Sequence, residues 1–161
     1  MPRTLHWFGL AGLVVILDRV TKVLVLQSFV LGEGRAITDF FNLVLVFNKG
    51  AAFSFLATAQ GWQTLFFVVI AIVASFVIGF LILKNKDKKL FCGGLGLILG
   101  GALGNLYDRL VYGQVVDFLD FHAAGWHFPA FNVADSAITV GAGLLIVESF
   151  LHHEPSDEKR A

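Results

Sequence analysis

The stretch "LFCGGLGLILGGALGNLYDRL", Leu90–Leu110, is an apolar run with glycines at positions 96, 100 and 104 and a polar cluster at its end. A hydrocarbon core of about 30 Å is crossed by about 20 apolar residues in a helix, so this segment reads as a transmembrane span. Glycine at every fourth position, with Gly93, Gly94, Gly101 and Ala102 alongside, makes a face on which neighbouring backbones approach closely. The fold it announces is a bundle of packed membrane helices.

The rest of the chain agrees with that reading. It has 161 residues, 57% hydrophobic and 15% charged, with a mean hydropathy of +0.76. A soluble domain is roughly half apolar and a quarter charged. Three more runs have spanning length, residues 5–27, 62–83 and 132–151. The first reads as retained rather than cleaved, because it is long, lacks a small-residue cleavage site and carries Asp18 and Lys22. Twelve basic and twelve acidic residues balance, so no global field argues for nucleic acid. Cys92 is the single cysteine, which excludes an internal disulfide, and it reads as a small buried residue.

Charge asymmetry orients the spans. "KNKDKK", residues 84–89, lies between spans two and three, and Arg3, Lys159 and Arg160 lie at the chain ends. Excess lysine and arginine mark the cytoplasmic side, so both termini are expected there. The connections 28–61 and 111–131 then face outward, with Trp62 and Trp126 as interfacial aromatics. "FFNLVLVFN", Phe40–Asn48, is rich in strand-forming residues and too short to span. The expected architecture is a membrane all-α protein, a four-helix transmembrane bundle with a small extracytoplasmic β-rich element over about 28–61. No internal repeat or low-complexity block divides it, so 1–161 reads as one domain.

Polar residues inside these spans gather at one depth. At 1.5 Å per residue, Asp18 lies about 20 Å and Asn105 about 22 Å from the cytoplasmic starts of their spans. Lys22, Asp108 and Arg109 lie just beyond, and Asn132 and Asp135 enter span four from the outer side. Asp18 with Lys22 and Asn105 with Arg109 share faces at i, i+4, as Asn132 and Asp135 do at i, i+3. Each central charge costs about 2.5 to 3.5 kcal/mol on insertion scales, so a polar layer from three helices needs a reason. Asp18 and Lys22 read locally as an intrahelical ion pair; for Asp108 with Arg109, interfacial charges ending span three are one reading, and nothing local decides it.

Asp117, in "VVDFLDFH", Val115–His122, lies past span three, and the connection to Asp135 is long enough to fold back and bring the two together. Two carboxylates that share a site cannot both ionise cheaply, so one keeps its proton. That pair supplies an acid and a base, suited to hydrolysing a peptide bond without metal or covalent intermediate. Spacing alone leaves proton or ion translocation equally open. His122, His127, His152 and His153 lack metal-ligand spacing, so no metal or cofactor is expected. Asp120 reads as an interfacial or structural carboxylate.

Four motifs in order then carry a resemblance. They are "DRVTK" at 18–22, "FNKGAAFS" at 47–54, "GGALGNLYDRLVYGQVVDFLDF" at 100–121 and "FNVADSAITVG" at 131–141. The chain closely resembles the bacterial lipoprotein signal peptidases, also called type II signal peptidases. The resemblance implies an aspartic endopeptidase of the bacterial inner membrane that removes signal peptides from prolipoproteins, cutting just before a diacylglyceryl-modified cysteine. It implies Asp117 and Asp135 as the catalytic dyad, with Asp18, Lys22, Asn48, Asn105, Arg109 and Asn132 around it. It also implies contact with membrane lipid, an active site toward the periplasm and inhibition by globomycin-type cyclic peptides. Phe40 to Phe55 are expected to cover the site, with Phe47 and Phe53 as shields. The rival readings are a proton-coupled carrier, which would need a polar path through the cytoplasmic half, and a non-catalytic scaffold, which would tolerate Asp→Asn at either dyad position.

Overall fold

The computed structural model describes residues 3–50 and 62–151. Phe53, Ser54 and the tail from His152 lie outside the described residues. In chain order the elements are helix α1 (Arg3–Ser28), strands β1 (Gly34–Thr38) and β2 (Phe41–Asn48), helices α2 (Trp62–Lys84) and α3 (Lys89–Tyr112), strands β3 (Val115–Ala123) and β4 (Trp126–His127), and helix α4 (Val133–Leu151).

Helices α2, α3 and α4 are long and apolar enough to cross a membrane. Helix α1 has 26 residues, sufficient length, but Asp18, Arg19 and Lys22 interrupt its apolar sequence. Those charges do not face outward. Asp18 and Lys22 have no exposed surface, whereas Leu13, Ile16, Val20 and Leu24 on the same helix are more than half exposed. The arrangement inverts that of a soluble helix, with apolar groups outside and charges inside.

Helix α3 is the central element, and its glycines serve two partners. A methyl group on Gly101 would stand 2.3 Å from the Ala134 carbonyl oxygen of α4, and methyl groups on Gly94 and Gly141 would stand 2.8 and 2.6 Å from each other's carbonyl oxygens. On the other side, Gly96 and Gly100 face the α1 backbone at Trp7 and Ala11. The small-residue face expected on α3 is thus two-sided, with Gly96 and Gly100 admitting α1, Gly94 and Gly101 admitting α4, and Gly104 meeting both. Leu95, Leu99, Ala11, Ile78 and Ile82 form the buried cluster among α1, α2 and α3.

The sheet corrects the expected extent of the β-rich element. It has four antiparallel strands in the order β1-β2-β3-β4, and β3 and β4 come from the second outer connection, 111–131, rather than from 28–61. Strand β3 pairs along β2 from Asn48↔Val115 to Phe41↔Phe121, with a register shift between Leu43 and Val46. Pairing with β2 satisfies backbone groups that a run of Val, Phe and Leu would otherwise bury unpaired. Leu45, Val116 and Phe118 pack with Val25 of α1, so the sheet is fastened to the top of the bundle. At the turn after α3, Gly113 adopts φ 71° and its N–H donates to the Arg109 carbonyl, an arrangement that glycine makes without a Cβ penalty. Two residues later the chain enters β3.

Candidate active site

Asp117 is delivered by β3 and Asp135 by the first turn of α4. Asn132 stands one residue before α4. Its side-chain oxygen accepts the Asp135 N–H at 2.9 Å, capping the helix. Its amide nitrogen donates to Asp117 Oδ1 at 2.7 Å, and reaches Asn105 Oδ1 and the Val116 carbonyl at 3.2 Å each. The i, i+3 spacing of Asn132 and Asp135 is therefore realised as a cap rather than as two side chains on one helix face.

Asn105 of α3 completes the link. Its amide nitrogen donates to Asp135 Oδ1 at 2.7 Å, while its oxygen accepts from Lys22 Nζ at 3.1 Å. On β2, Asn48 donates to Asp117 Oδ2 at 3.0 Å, and its own oxygen accepts the N–H of Gly50 at 2.8 Å. Three asparagine amides thus hold the two carboxylates in fixed orientations.

Beneath them lies a buried ionic layer. Lys22 Nζ lies 2.8 Å from Asp18 Oδ2 and 2.8 Å from Asp108 Oδ2, all three side chains without exposed surface. One ammonium thus stands between two buried carboxylates and the Asn105 oxygen. Asp18 Oδ1 also accepts the Ala134 N–H at 3.0 Å, so an α1 carboxylate holds an otherwise free amide at the positive end of α4. A methyl group at Gly104 would stand 2.7 Å from Asp18 Oδ2, which is why this level of α3 carries glycine.

The structure thereby gathers Asp18, Lys22, Asn48, Asn105, Asn132, Asp117 and Asp135 into one network. Arg109 joins at its edge, donating to the Asn105 carbonyl at 3.4 Å and lying 4.9 Å above the Phe67 ring. Two participants were missed from sequence. Asp108 is not an interfacial charge. It is fully buried, binds Lys22, accepts the Val116 N–H at 3.1 Å and pairs with Arg19. The signal was available in its i, i+3 spacing from Asn105, which puts both on one face of α3.

Asp117 is 1% exposed. Burial first, and then the negative charge of Asp135, raise its pKa from the ordinary 3.8 to about 7, against the hydrogen bonds from Asn48 and Asn132. Asp117 therefore keeps its proton well above the ordinary carboxylate range and gives it up only around neutral pH. Asp135 instead lines an open cleft of about 600 Å³ together with Asn48, Gly50, Phe67, Arg109, Ser136, Thr139, Val140 and the segment Phe128–Phe131. From Asp135 the cleft follows α4 through Ser136 to Thr139 and Val140, away from the sheet. Phe47 does not line it. That ring packs on the cluster around Leu45 and Val116, so of the expected cover only Asn48 and Gly50 among the described residues reach the cleft.

Asp120, three residues from Asp117, faces a different group. Asn42 donates to it at 2.8 Å, and His127 Nδ1 lies 2.9 Å away. Desolvation works against its charge, but the hydrogen bonds from Asn42 and His127 prevail and hold the carboxyl below its usual range. His122 and His127 stack with ring centres 4.8 Å apart. Among the described residues, no three metal-ligating side chains converge.

Residues 10–151 match the family described as Signal peptidase (SPase) II. The chain belongs to the signal peptidase II family. It is similar to the lipoprotein signal peptidase of Janthinobacterium sp. (strain Marseille), 56% identical over 89% of this chain and 87% of that one. It is also 57% identical to the lipoprotein signal peptidase of Ralstonia nicotianae, over 88% of this chain and 82% of the relative. Among solved structures it resembles one described as a bacterial membrane enzyme, with TM-score 0.81 and 31% identity, covering 97% of this chain and 94% of that one.

Proposed function

We propose that this signal peptidase II family member is an intramembrane aspartic endopeptidase with Asp117 and Asp135 as its catalytic dyad. Its substrates are diacylglyceryl-modified prolipoproteins, cut just before the lipidated cysteine. Asp18, Lys22, Asn48, Asn105, Arg109 and Asn132 support the dyad or bind substrate. The observation that carries this reading is the joint hold of Asn105 and Asn132 on two carboxylates of unlike surroundings, one sealed and one lining a cleft.

In the reaction, ionised Asp135 accepts a proton from a water molecule as its oxygen attacks the scissile carbonyl carbon. Asp117 donates its proton to the carbonyl oxygen, forming a neutral gem-diol. The proton on Asp135 then passes to the amide nitrogen, the C–N bond breaks, and a diol hydroxyl returns its proton to Asp117. The amides of Asn105 and Asn132 keep the carboxylates oriented throughout, which lowers the reorganisation needed at the transition state.

The membrane setting follows from the same elements. We place all four helices, α1 included, across the bacterial inner membrane with both termini cytoplasmic and the sheet toward the periplasm. Support comes from the apolar outer surface of α1 and from the lysines between α2 and α3. The scissile bond then meets the dyad at the outer membrane surface, and the apolar signal segment runs inward along Thr139 and Val140. Globomycin-type cyclic peptides are expected to occupy the same cleft. The test is a gel-shift cleavage assay on a diacylglyceryl prolipoprotein with wild type, Asp117→Asn and Asp135→Asn. Cleavage by wild type alone is expected, and full activity in either variant would rule out the dyad.

A further inference from the structure

Two cations and two carboxylates meet under the dyad, and two of the four, Asp108 and Arg19, have no part in the function proposed above. Asp18 and Asp108 both lie against Lys22, which alone leaves two buried carboxylates sharing one positive charge. The balance is completed by Arg19. Its guanidinium pairs with Asp108 Oδ1 through Nη1, sits 4.2 Å over the Tyr107 ring and reaches the Tyr112 hydroxyl at 3.5 Å through Nη2. Its side chain is 18% exposed, so it occupies the rim of the layer rather than its interior.

Asp108 touches both halves of the dyad indirectly. Through Oδ2 it accepts the Val116 N–H, and the Val116 carbonyl accepts from Asn132, so the backbone of the residue before Asp117 is held at both its N–H and its carbonyl. Through Lys22 it also bears on Asn105, which orients Asp135. With Arg19 on Oδ1, the second oxygen of Asp108 is free to serve Lys22 and Val116 together. Without Arg19, Asp108 competes fully with Asp18 for Lys22, and the ammonium is drawn away from Asn105.

We propose that Arg19 is a positioning residue for catalysis, neutralising Asp108 so that Lys22 and the Val116 peptide hold Asn105, Asp135 and Asp117 in register. The proposal rests on the peptidase reading above. It is tested by measuring kcat and KM on a diacylglyceryl prolipoprotein for wild type, Arg19→Gln and Arg19→Lys, with the folded fraction determined by thermal unfolding. The expected result is a kcat lowered about tenfold in Arg19→Gln with KM within about twofold, and recovery to within about threefold of wild type in Arg19→Lys. A kcat within about threefold of wild type in Arg19→Gln, a loss seated in KM, or a loss that lysine does not rescue would overturn it. If Arg19→Gln does not fold, the Tyr107→Leu/Tyr112→Phe variant loosens the guanidinium without removing its charge. A kcat about threefold lower at constant KM then supports the proposal, and an unchanged kcat overturns it. Failure of wild type to cleave would sink the peptidase reading and this one with it, whereas cleavage insensitive to Arg19 would sink this one alone.

Discussion

Asn132 donates to Asp117 Oδ1 at 2.7 Å while its side-chain oxygen caps the helix that carries Asp135 in its first turn. One short side chain thus fixes where α4 starts and how the strand carboxylate is turned. The cap and the hydrogen bond to Asp117 share one side chain, which couples the start of α4 to the geometry of the candidate site.

Capping and orientation are separable at this position. Serine is a good N-cap but has no amide to offer Asp117, whereas alanine offers neither. Asn132→Ala should lose about 1 kcal/mol of stability by thermal unfolding, and Asn132→Ser only a few tenths. Both should lose about 100-fold in kcat, the scale of a misdirected proton-transfer group. A fully active Asn132→Ser protein would mean that Asn132 acts as a cap only.

The raised pKa of Asp117 gives a pH dependence with a definite sign. Between the ordinary value of 3.8 and about 7, the folded protein keeps a proton that the unfolded chain has lost. Stability therefore falls as pH rises through that window and levels off above it. The same ionisation would remove the acid proposed for the reaction, so kcat/KM on a lipidated substrate should decline above about pH 7. The apparent value belongs to the Asp117 and Asp135 pair. A flat rate profile from about pH 6 to 9 would argue against a protonated Asp117 as the acid.

Glycines of similar sequence context should respond in opposite directions. A methyl group on Gly101 meets the Ala134 carbonyl oxygen at 2.3 Å, one residue before Asp135, whereas one on Gly143 meets nothing within 4 Å. Gly101→Ala should force α4 away from α3, destabilising by about 1 to 3 kcal/mol and lowering kcat with it. Gly143→Ala should leave kcat unchanged and stabilise by up to about 1 kcal/mol through helix propensity. Unfolding temperatures in one detergent, measured alongside cleavage rates, distinguish the two.

Much of this site was legible because a membrane makes every buried charge conspicuous. Asp18, Lys22, Asn105 and Asp135 stood out against apolar sequence, and 1.5 Å per residue brought them to one level. Strand β3 was not legible, because its partner β2 is far away in the chain and its apolar run resembles the end of a span more than an alternating strand. Asp108 and Arg19 escaped for a related reason. Asp108 lies near the end of α3, where a charge is normally solvated, and Arg19 lies within α1; only the meeting of α1 with α3 pairs the two and sets Asp108 against Lys22.

The two carboxylates of "VVDFLDFH" should separate cleanly under substitution. Asp117 is sealed, contacts Asn48 and Asn132, and carries a raised pKa, whereas Asp120 pairs with Asn42 and His127 and carries a lowered one. His127 is 54% exposed, so the ion pair with Asp120 is worth at most about 1 kcal/mol. In Asp120→Asn the new carboxamide oxygen still accepts from Asn42, so kcat should stay within about twofold and stability should fall by no more than that ion pair. In Asp117→Asn the acid is gone, and kcat should fall by at least about 1,000-fold while the chain still folds. Cleavage rates and unfolding temperatures on the two variants side by side provide the test. If Asp120→Asn abolished turnover without loss of fold, the division of labour within this strand would be wrong, and the Asn42, Asp120 and His127 group would belong to the reaction.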